Sequence, residues 1–389
     1  MYKIRTYNQI SDIGLNRFPM DSYEIGPDVA DPDAFILRSQ KLHDEPVPDS
    51  LLAVARAGAG VNNIPVEDYT RRGIVVFNTP GANANAVKEM VAVALLLGSR
   101  RILDGVNRVQ ELTDISDPEA MAKQLEKEKK RFGGSEIAGK TLGVVGLGAI
   151  GSMVANMALE MGMHVAGYDP ALSVEAAWRL SSQVEKMESL ETLLKISDFV
   201  TLHVPSIEQT RHLISTTALL RFKPGARLLN FAREEIVDAA AVIAALDEGR
   251  LGGYITDFPL PELLGRPDCL LFPHLGASTA EAEENCSVMA AEQLMDFLQN
   301  GNIFNSVNYP RTRMGRNGGY RITFANENVP RVLGHVLSVL ADHDINVIDM
   351  VNKSLRDMAY NIIDVETRPK PEIIDAIVSV DGVMHVRVI

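Results

Sequence analysis

The sequence predicts an α/β protein: two doubly wound parallel-sheet domains followed by a small α+β module. Three observations predict it. Short apolar runs alternate with helical stretches through residues 1–300, the pattern of parallel sheets covered on both faces. A glycine-rich turn, Gly146-Leu147-Gly148-Ala149-Ile150-Gly151, joins one such run to a helix. Residues 321–389 read strand, helix, strand, strand, helix, strand.

Taken in order, candidate strands lie at 3–7, 34–38, 52–57 and 74–77, with turn clusters such as Asp31-Pro32-Asp33 and Pro46-Val47-Pro48 between them. A helix over 85–97 follows Asn78-Thr79-Pro80-Gly81. The charged stretch 119–131 reads as a solvated helical face. The glycine-motif strand starts at Thr141, and further strands lie at 164–169, 199–204, 227–231, 254–257 and 270–273. These six make one nucleotide-type domain, 99–278. A helix over 280–300 returns to the first domain, which is then discontinuous, 1–98 plus 279–309. Residues 310–319 read as a linker from their glycines and arginines; Arg311, Arg313 and Arg316 suit either an anion site or solvent. The last module spans 320–389. It carries no catalytic cluster, which points to binding or assembly.

Composition narrows the partners. Of 389 residues 46% are hydrophobic, ordinary for a globular chain. A net charge of −13 argues against a generic nucleic-acid or anionic-membrane partner. An anionic ligand must therefore be attracted locally. Cys269 and Cys286 follow no metal spacing and read as free thiols in a reducing compartment; no metal is expected. No signal peptide opens the chain and no apolar run approaches the ~18 residues a membrane span needs, so a cytoplasmic location is expected.

The glycine turn carries the first chemistry. Gly146 permits a tight turn, Gly148 lets the backbone approach a pyrophosphate, and Gly151 lets helix and strand pack closely. The helix start, with Ala149 and Ile150, offers unpaired N–H groups to phosphate. Asp169 ends the next apolar run, where a carboxylate can accept both ribose hydroxyls and repel a 2′-phosphate. That favours NAD over NADP, on a Rossmann-like domain. Three polar residues then follow at strand ends: Arg233, Glu262 and His274. Ligands of open α/β sheets bind at that edge. Histidine suits the removal of a hydroxyl proton, a carboxylate orients and charges the ring, and a guanidinium clamps a carboxylate bidentately.

The chain resembles the D-isomer-specific 2-hydroxyacid dehydrogenases. The matching residues are the glycine turn, His203-Val204-Pro205, Asn230-Phe231-Ala232-Arg233, Asp257 with Glu262, and Pro273-His274-Leu275-Gly276-Ala277-Ser278-Thr279. The resemblance extends to Ile36-Leu37-Arg38-Ser39, the run from Ala55 to Asn63, and Asn78-Thr79-Pro80. It implies NAD as cofactor and a small anionic 2-hydroxy acid as substrate. His274 would be the acid/base, Glu262 its partner, and Arg233 the carboxylate ligand. Cofactor contacts would come from His203, Pro205, Thr210, Asp257 and Gly276. The N–H groups of Gly58, Ala59 and Gly60 would also hold the carboxylate, and Arg38 and Arg56 would receive a substrate phosphate.

Two departures stand out. Glu234 follows the arginine where the family carries glycine, and Lys88 stands where many relatives carry a small residue. Lys88 is either a third cation for the phosphate or an exposed lysine. The C-terminal module resembles an ACT regulatory domain, which implies an amino-acid effector near Asn326, Asn328 and Asn346, and a homodimer or homotetramer. Arg331 follows Pro330 where effector-binding members carry glycine. Two further readings remain open: a reductase of another small 2-oxo acid, and an NAD(H)-sensing corepressor.

Overall fold

The computed structural model describes residues 1–389, with the side chain of Glu175 not described. Three sheets organise the chain. The first is parallel and comprises β1 (Tyr2–Thr6), β2 (Tyr23–Gly26), β3 (Ala34–Leu37), β4 (Ala53–Arg56) and β5 (Val75–Phe77), in the order β2-β1-β3-β4-β5. The second is also parallel. It comprises β6 (Thr141–Val145), β7 (His164–Tyr168), β8 (Glu185–Lys186), β9 (Phe199–Leu202), β10 (Arg227–Asn230), β11 (Gly253–Thr256) and β12 (Cys269–Leu271), in the order β12-β11-β10-β9-β6-β7-β8. The third is antiparallel: β13 (Tyr320–Glu327), β14 (Val347–Leu355), β15 (Met358–Val365) and β16 (Val383–Val388), in the order β14-β15-β13-β16. The fold is thus α/β with a small α+β part. Two compact units contain these sheets: Met1–Asn83 with Ala280–Ile389, and Ala84–Thr279.

In the first unit, strand side chains alternate between two apolar layers, as a sheet covered on both faces requires. Ile36, Ala55, Val75 and Phe77 pack with Ala291, Leu294 and Phe297 of the helix Ala280–Asn300. Phe35, Leu37, Val54 and Val76 pack with Leu42, Ile64 and Tyr69. Strand β2, absent from the sequence expectation, adds an edge through Tyr23 and Ile25. The C-terminal sheet also has two used faces. Ile322, Phe324, Ile363 and Val365 lie against the helices Val332–Asp342 and Pro371–Val378, while Ala325, Tyr360 and Ile362 join the core of the first sheet. Tyr360 Oη donates to the Gly301 carbonyl at 2.8 Å and Arg387 Nη2 to that of Leu298 at 2.7 Å.

Arg321 locks this arrangement. It is fully buried, bonds both oxygens of buried Asp364 at 2.6 and 2.8 Å, and donates to the carbonyls of Asn300, Met314 and Gly315. With every guanidinium direction used, the pair is compensated. Removing one partner strands the other charge, typically at about 3–5 kcal/mol. Here the structure differs from the domain expectation. Residues 310–319 are not a free linker: Thr312 pairs with Ile303 and Met314 is buried. Residues 320–389 pack into the first unit's core rather than standing apart.

In the second unit, Val144, Phe199, Leu229 and Ile255 form one layer with Val154, Ala155 and Ala158 of the helix Ala149–Glu160. The helix Ala84–Ser99 adds Val87, Val91 and Leu95 to that layer, so the unit begins at 84, not at 99 as the strand and helix pattern suggested. Leu202, Leu228 and Tyr254 pack on the other face with Leu193, Val242 and Leu246. The two-residue strand β8 extends the six predicted strands to seven. Among the described residues no helix is long and apolar enough to cross a membrane.

Candidate active site

The order of the seven-stranded sheet reverses between β6 and β9, which opens a crevice at their carboxyl ends. The loops there are the glycine turn and His203–Thr210. Gly146 has φ +89°, and a Cβ on Gly151 would lie 1.9 Å from the Gly146 carbonyl oxygen, so neither position admits a side chain. Gly148 faces open space and caps the helix Ala149–Glu160 with no side chain. The first N–H groups of that helix have no intrahelical partner, and their dipoles favour an anion. Asp169 takes the Leu147 and Ala171 N–H groups at 2.8 and 2.9 Å, which fixes the turn and leaves its remaining lone pairs for hydroxyls. These features fit a dinucleotide.

His203 packs beside this turn. Its Nε2 meets Thr201 Oγ1 at 2.9 Å, while its Nδ1 is buried without a partner. Burial pushes the imidazole down to about 3, so the ring is neutral. Thr210 Oγ1 donates to the Pro205 carbonyl at 2.5 Å and closes the loop.

The loops after β10, β11 and β12 carry the polar trio. Arg233 is half-buried and rests on its own chain, Nη1 donating to the Ala232 carbonyl at 2.6 Å. Asp257 is 2% exposed, and its two oxygens accept the Leu275 and Gly276 N–H groups, both at 2.7 Å. That clamp holds the turn immediately after His274. His274 itself has φ +57°, a left-handed conformation that costs a non-glycine residue about 1–2 kcal/mol. Its ring is exposed and meets Phe258 edge-on at 5.1 Å.

Glu262 lies exposed in the turn Pro261–Leu263, and no hydrogen bond or ion pair joins it to His274 among the described residues. The expected pairing is therefore not formed here. Glu234 is exposed beside Arg233 and lines a cavity of about 220 Å³ with Arg211, His212, Tyr254 and Phe258. Lys88, half-buried, donates to Asn85 Oδ1 at 2.6 Å.

The first unit has its own ligand edge. The strand order reverses between β1 and β3, and Arg38 follows β3 directly. Its Nη1 lies 2.5 Å from Glu283 Oε1 in a half-exposed ion pair. Arg56 ends β4, donates to the Arg38 carbonyl at 2.9 Å, and lays its guanidinium over Gly58. Gly58 N–H is taken by the Arg56 carbonyl, whereas among the described residues no acceptor takes the N–H of Ala59 or Gly60. Two of the three expected main-chain donors are thus open.

At the C-terminal module Asn326 bonds Asn361 and the Glu327 carbonyl, Asn328 the Arg356 carbonyl, and Asn346 Glu366. Arg331 keeps φ +80° at a helix start despite its Cβ.

Residues 101–276 match the family model described as D-isomer specific 2-hydroxyacid dehydrogenase, NAD binding domain. A D-3-phosphoglycerate dehydrogenase of Escherichia coli is 31% identical over 372 residues, 92% of this chain and 86% of that protein. The chain belongs to the D-isomer specific 2-hydroxyacid dehydrogenases. A D-3-phosphoglycerate dehydrogenase of Synechocystis sp. is 35% identical over 329 residues, 80% of this chain and 56% of that protein. The chain spans about half the length of the first curated relatives it matches (56% for Synechocystis sp. and for Methanocaldococcus jannaschii). The NAD+-bound 3-phosphoglycerate dehydrogenase of Entamoeba histolytica superposes with a TM-score of 0.61 at 25% identity, covering 79% of this chain and 98% of that one. The apo D-mandelate dehydrogenase of Rhodotorula graminis, 24% identical, shares the fold with a TM-score of 0.65 over 79% of this chain and 97% of that one. As a family member, the chain has its NAD-binding domain in the second unit.

Asn230 enters the sequence reading only as part of the Asn230–Arg233 match and has no role there; in the structure it is a fully buried amide bonded to the Arg233 carbonyl.

Proposed function

We propose that the chain oxidises D-3-phosphoglycerate to 3-phosphohydroxypyruvate with NAD, the step that opens L-serine biosynthesis. The observation that carries the reading is the clamped, left-handed His274 on the same sheet edge as Arg233. NAD, when bound, supplies the hydride acceptor. His274 takes the hydroxyl proton; its exposure leaves the ring reachable. Arg233 holds the substrate carboxylate bidentately and fixes its orientation. Glu262 is assigned as the carboxylate that orients His274, although Phe258 is the ring's neighbour here. Asp257 holds the His274 turn, and Gly276 follows it. The glycine turn, His203, Pro205, Thr210 and Asp169 are assigned to the dinucleotide.

The open N–H groups of Ala59 and Gly60 suit the carboxylate, and Arg38 and Arg56 a phosphate. Lys88 is assigned as a further cation. A panel of phosphorylated and unphosphorylated 2-hydroxy acids, with NADH followed by absorbance, tests the assignment. Preference for the phosphorylated acid is expected; turnover of none of them would reject it. One observation favours a second reading. Glu283 already occupies Arg38, which suits a reductase of an unphosphorylated 2-oxo acid.

An amino-acid effector is assigned to the C-terminal module, and a homodimer or homotetramer to the protein. Leu103, Val106 and Val109 present an exposed apolar stripe on the helix Ile102–Gln110, in keeping with self-association. Two free thiols suit the reducing cytoplasm.

A further inference from the structure

We propose that Asn230 is the positioning residue that fixes Arg233 and ties its loop to the loop carrying His274. The proposal rests on the roles given above to those two side chains. Asn230 is the last residue of β10 and is fully buried. Its carboxamide oxygen accepts the Ala232 N–H at 3.1 Å, and its Nδ2 donates to the Arg233 carbonyl at 2.9 Å. These two bonds close the chain between the strand end and Arg233 into one turn. The backbone of Arg233 is thereby set, and with it the origin of the guanidinium.

The main chain of Asn230 works in the other direction. Its carbonyl receives the Asp257 N–H at 3.1 Å and the Thr256 hydroxyl at 3.3 Å. Thr256 Oγ1 in turn accepts the Phe258 N–H at 3.1 Å. Asp257 then holds Leu275 and Gly276 through its carboxylate. A continuous path of buried and half-buried hydrogen bonds thus runs from the Arg233 carbonyl through Asn230 and Asp257 to the turn after His274. Every member lies in the second unit.

The path explains the residue type. One side chain must accept from one backbone group and donate to another, and a primary amide does both. Aspartate keeps the acceptor but turns a lone pair on the Arg233 carbonyl. Alanine leaves the Ala232 N–H without its acceptor and the Arg233 carbonyl with only the long 3.5 Å bond from the Ile236 N–H, and such lost partners are expensive.

The test uses the full chain as Asn230→Asp and Asn230→Ala, alone and on an Arg233→Ala background. Steady-state oxidation of D-3-phosphoglycerate is measured beside NADH affinity by fluorescence, oxalate affinity of the NADH-loaded protein by calorimetry, and thermal unfolding. Oxalate probes the carboxylate site without turnover. The expected result for Asn230→Asp is a KM for the hydroxy acid raised roughly tenfold, the factor one lost buried hydrogen bond is worth. Oxalate should weaken in parallel while NADH affinity stays at the wild-type value. On the Arg233→Ala background the substitution should add nothing, since its target is gone. Additive losses would overturn the proposal. So would NADH affinity falling as far as oxalate affinity, or both variants failing to fold, which would make Asn230 a core residue alone. A wild type that neither turns over a hydroxy acid nor binds oxalate would reject the functional reading itself, and the proposal with it.

Discussion

The two parallel sheets present their carboxyl edges in contrasting ways. On the seven-stranded sheet the functional loops are anchored from beneath: Asp257 is buried with both oxygens satisfied, and Asn230 closes the Arg233 turn. On the five-stranded sheet Arg38 is half-exposed and held by one ion pair to Glu283. The first edge suits chemistry, in which a small displacement costs rate. The second suits recognition of a charged end, since a solvated pair can exchange one anion for another at little cost. Substitutions on the two edges should therefore differ in size and in kind.

The largest effect belongs to His274→Ala, expected to lower kcat by about 10²–10⁴, the span of acid–base catalysis, with NADH affinity preserved. Loss of the underlying clamp comes next. Asp257→Ala should reduce kcat by about 10–100-fold, because the turn after left-handed His274 loses its two acceptors. Stopped-flow NADH formation would separate that effect from product release.

Smaller effects are expected on the five-stranded sheet. Glu283→Gln should lower the KM for D-3-phosphoglycerate by about threefold by freeing Arg38, the modest size of an exposed pair, and leave an unphosphorylated acid unaffected. Equal effects on both acids would erase the contrast between the two edges. The last expected effect concerns pH and stability, outside the contrast between the two edges. His203 titrates near 3 in the folded chain against an ordinary 6.5, so the unfolded chain binds the proton first. Its contribution is intact above about pH 6.5 and is lost as pH falls toward 3. Thermal melts from pH 7 to 4 should fall less steeply in His203→Asn.

The same contrast governs what the sequence could reveal. The glycine turn and the residues ending β10 and β12 follow local rules, so their type and spacing were readable. The helix Ala84–Ser99 was legible as a helix, but its apolar face does not say which sheet it covers; Val87, Val91 and Leu95 settle that for the second unit. Residues 310–319 looked like a linker because composition carries no record of the Arg321 bonds to Met314 and Gly315. The Glu262–His274 pairing was what the family resemblance implied, whereas in the structure Phe258 meets the ring edge-on. Asn230 was legible as part of a matching run but not as a positioning residue, because its two backbone partners are set only by the folded turn.

The most direct test of the central claim follows the C2 hydrogen. D-3-phosphoglycerate deuterated at C2 should yield NADH carrying the deuterium, detected by mass spectrometry, in the wild type and, slowly, in His274→Ala. Deuterium recovered in water, or no reduction of NAD at all, would contradict direct hydride transfer at the edge of the seven-stranded sheet.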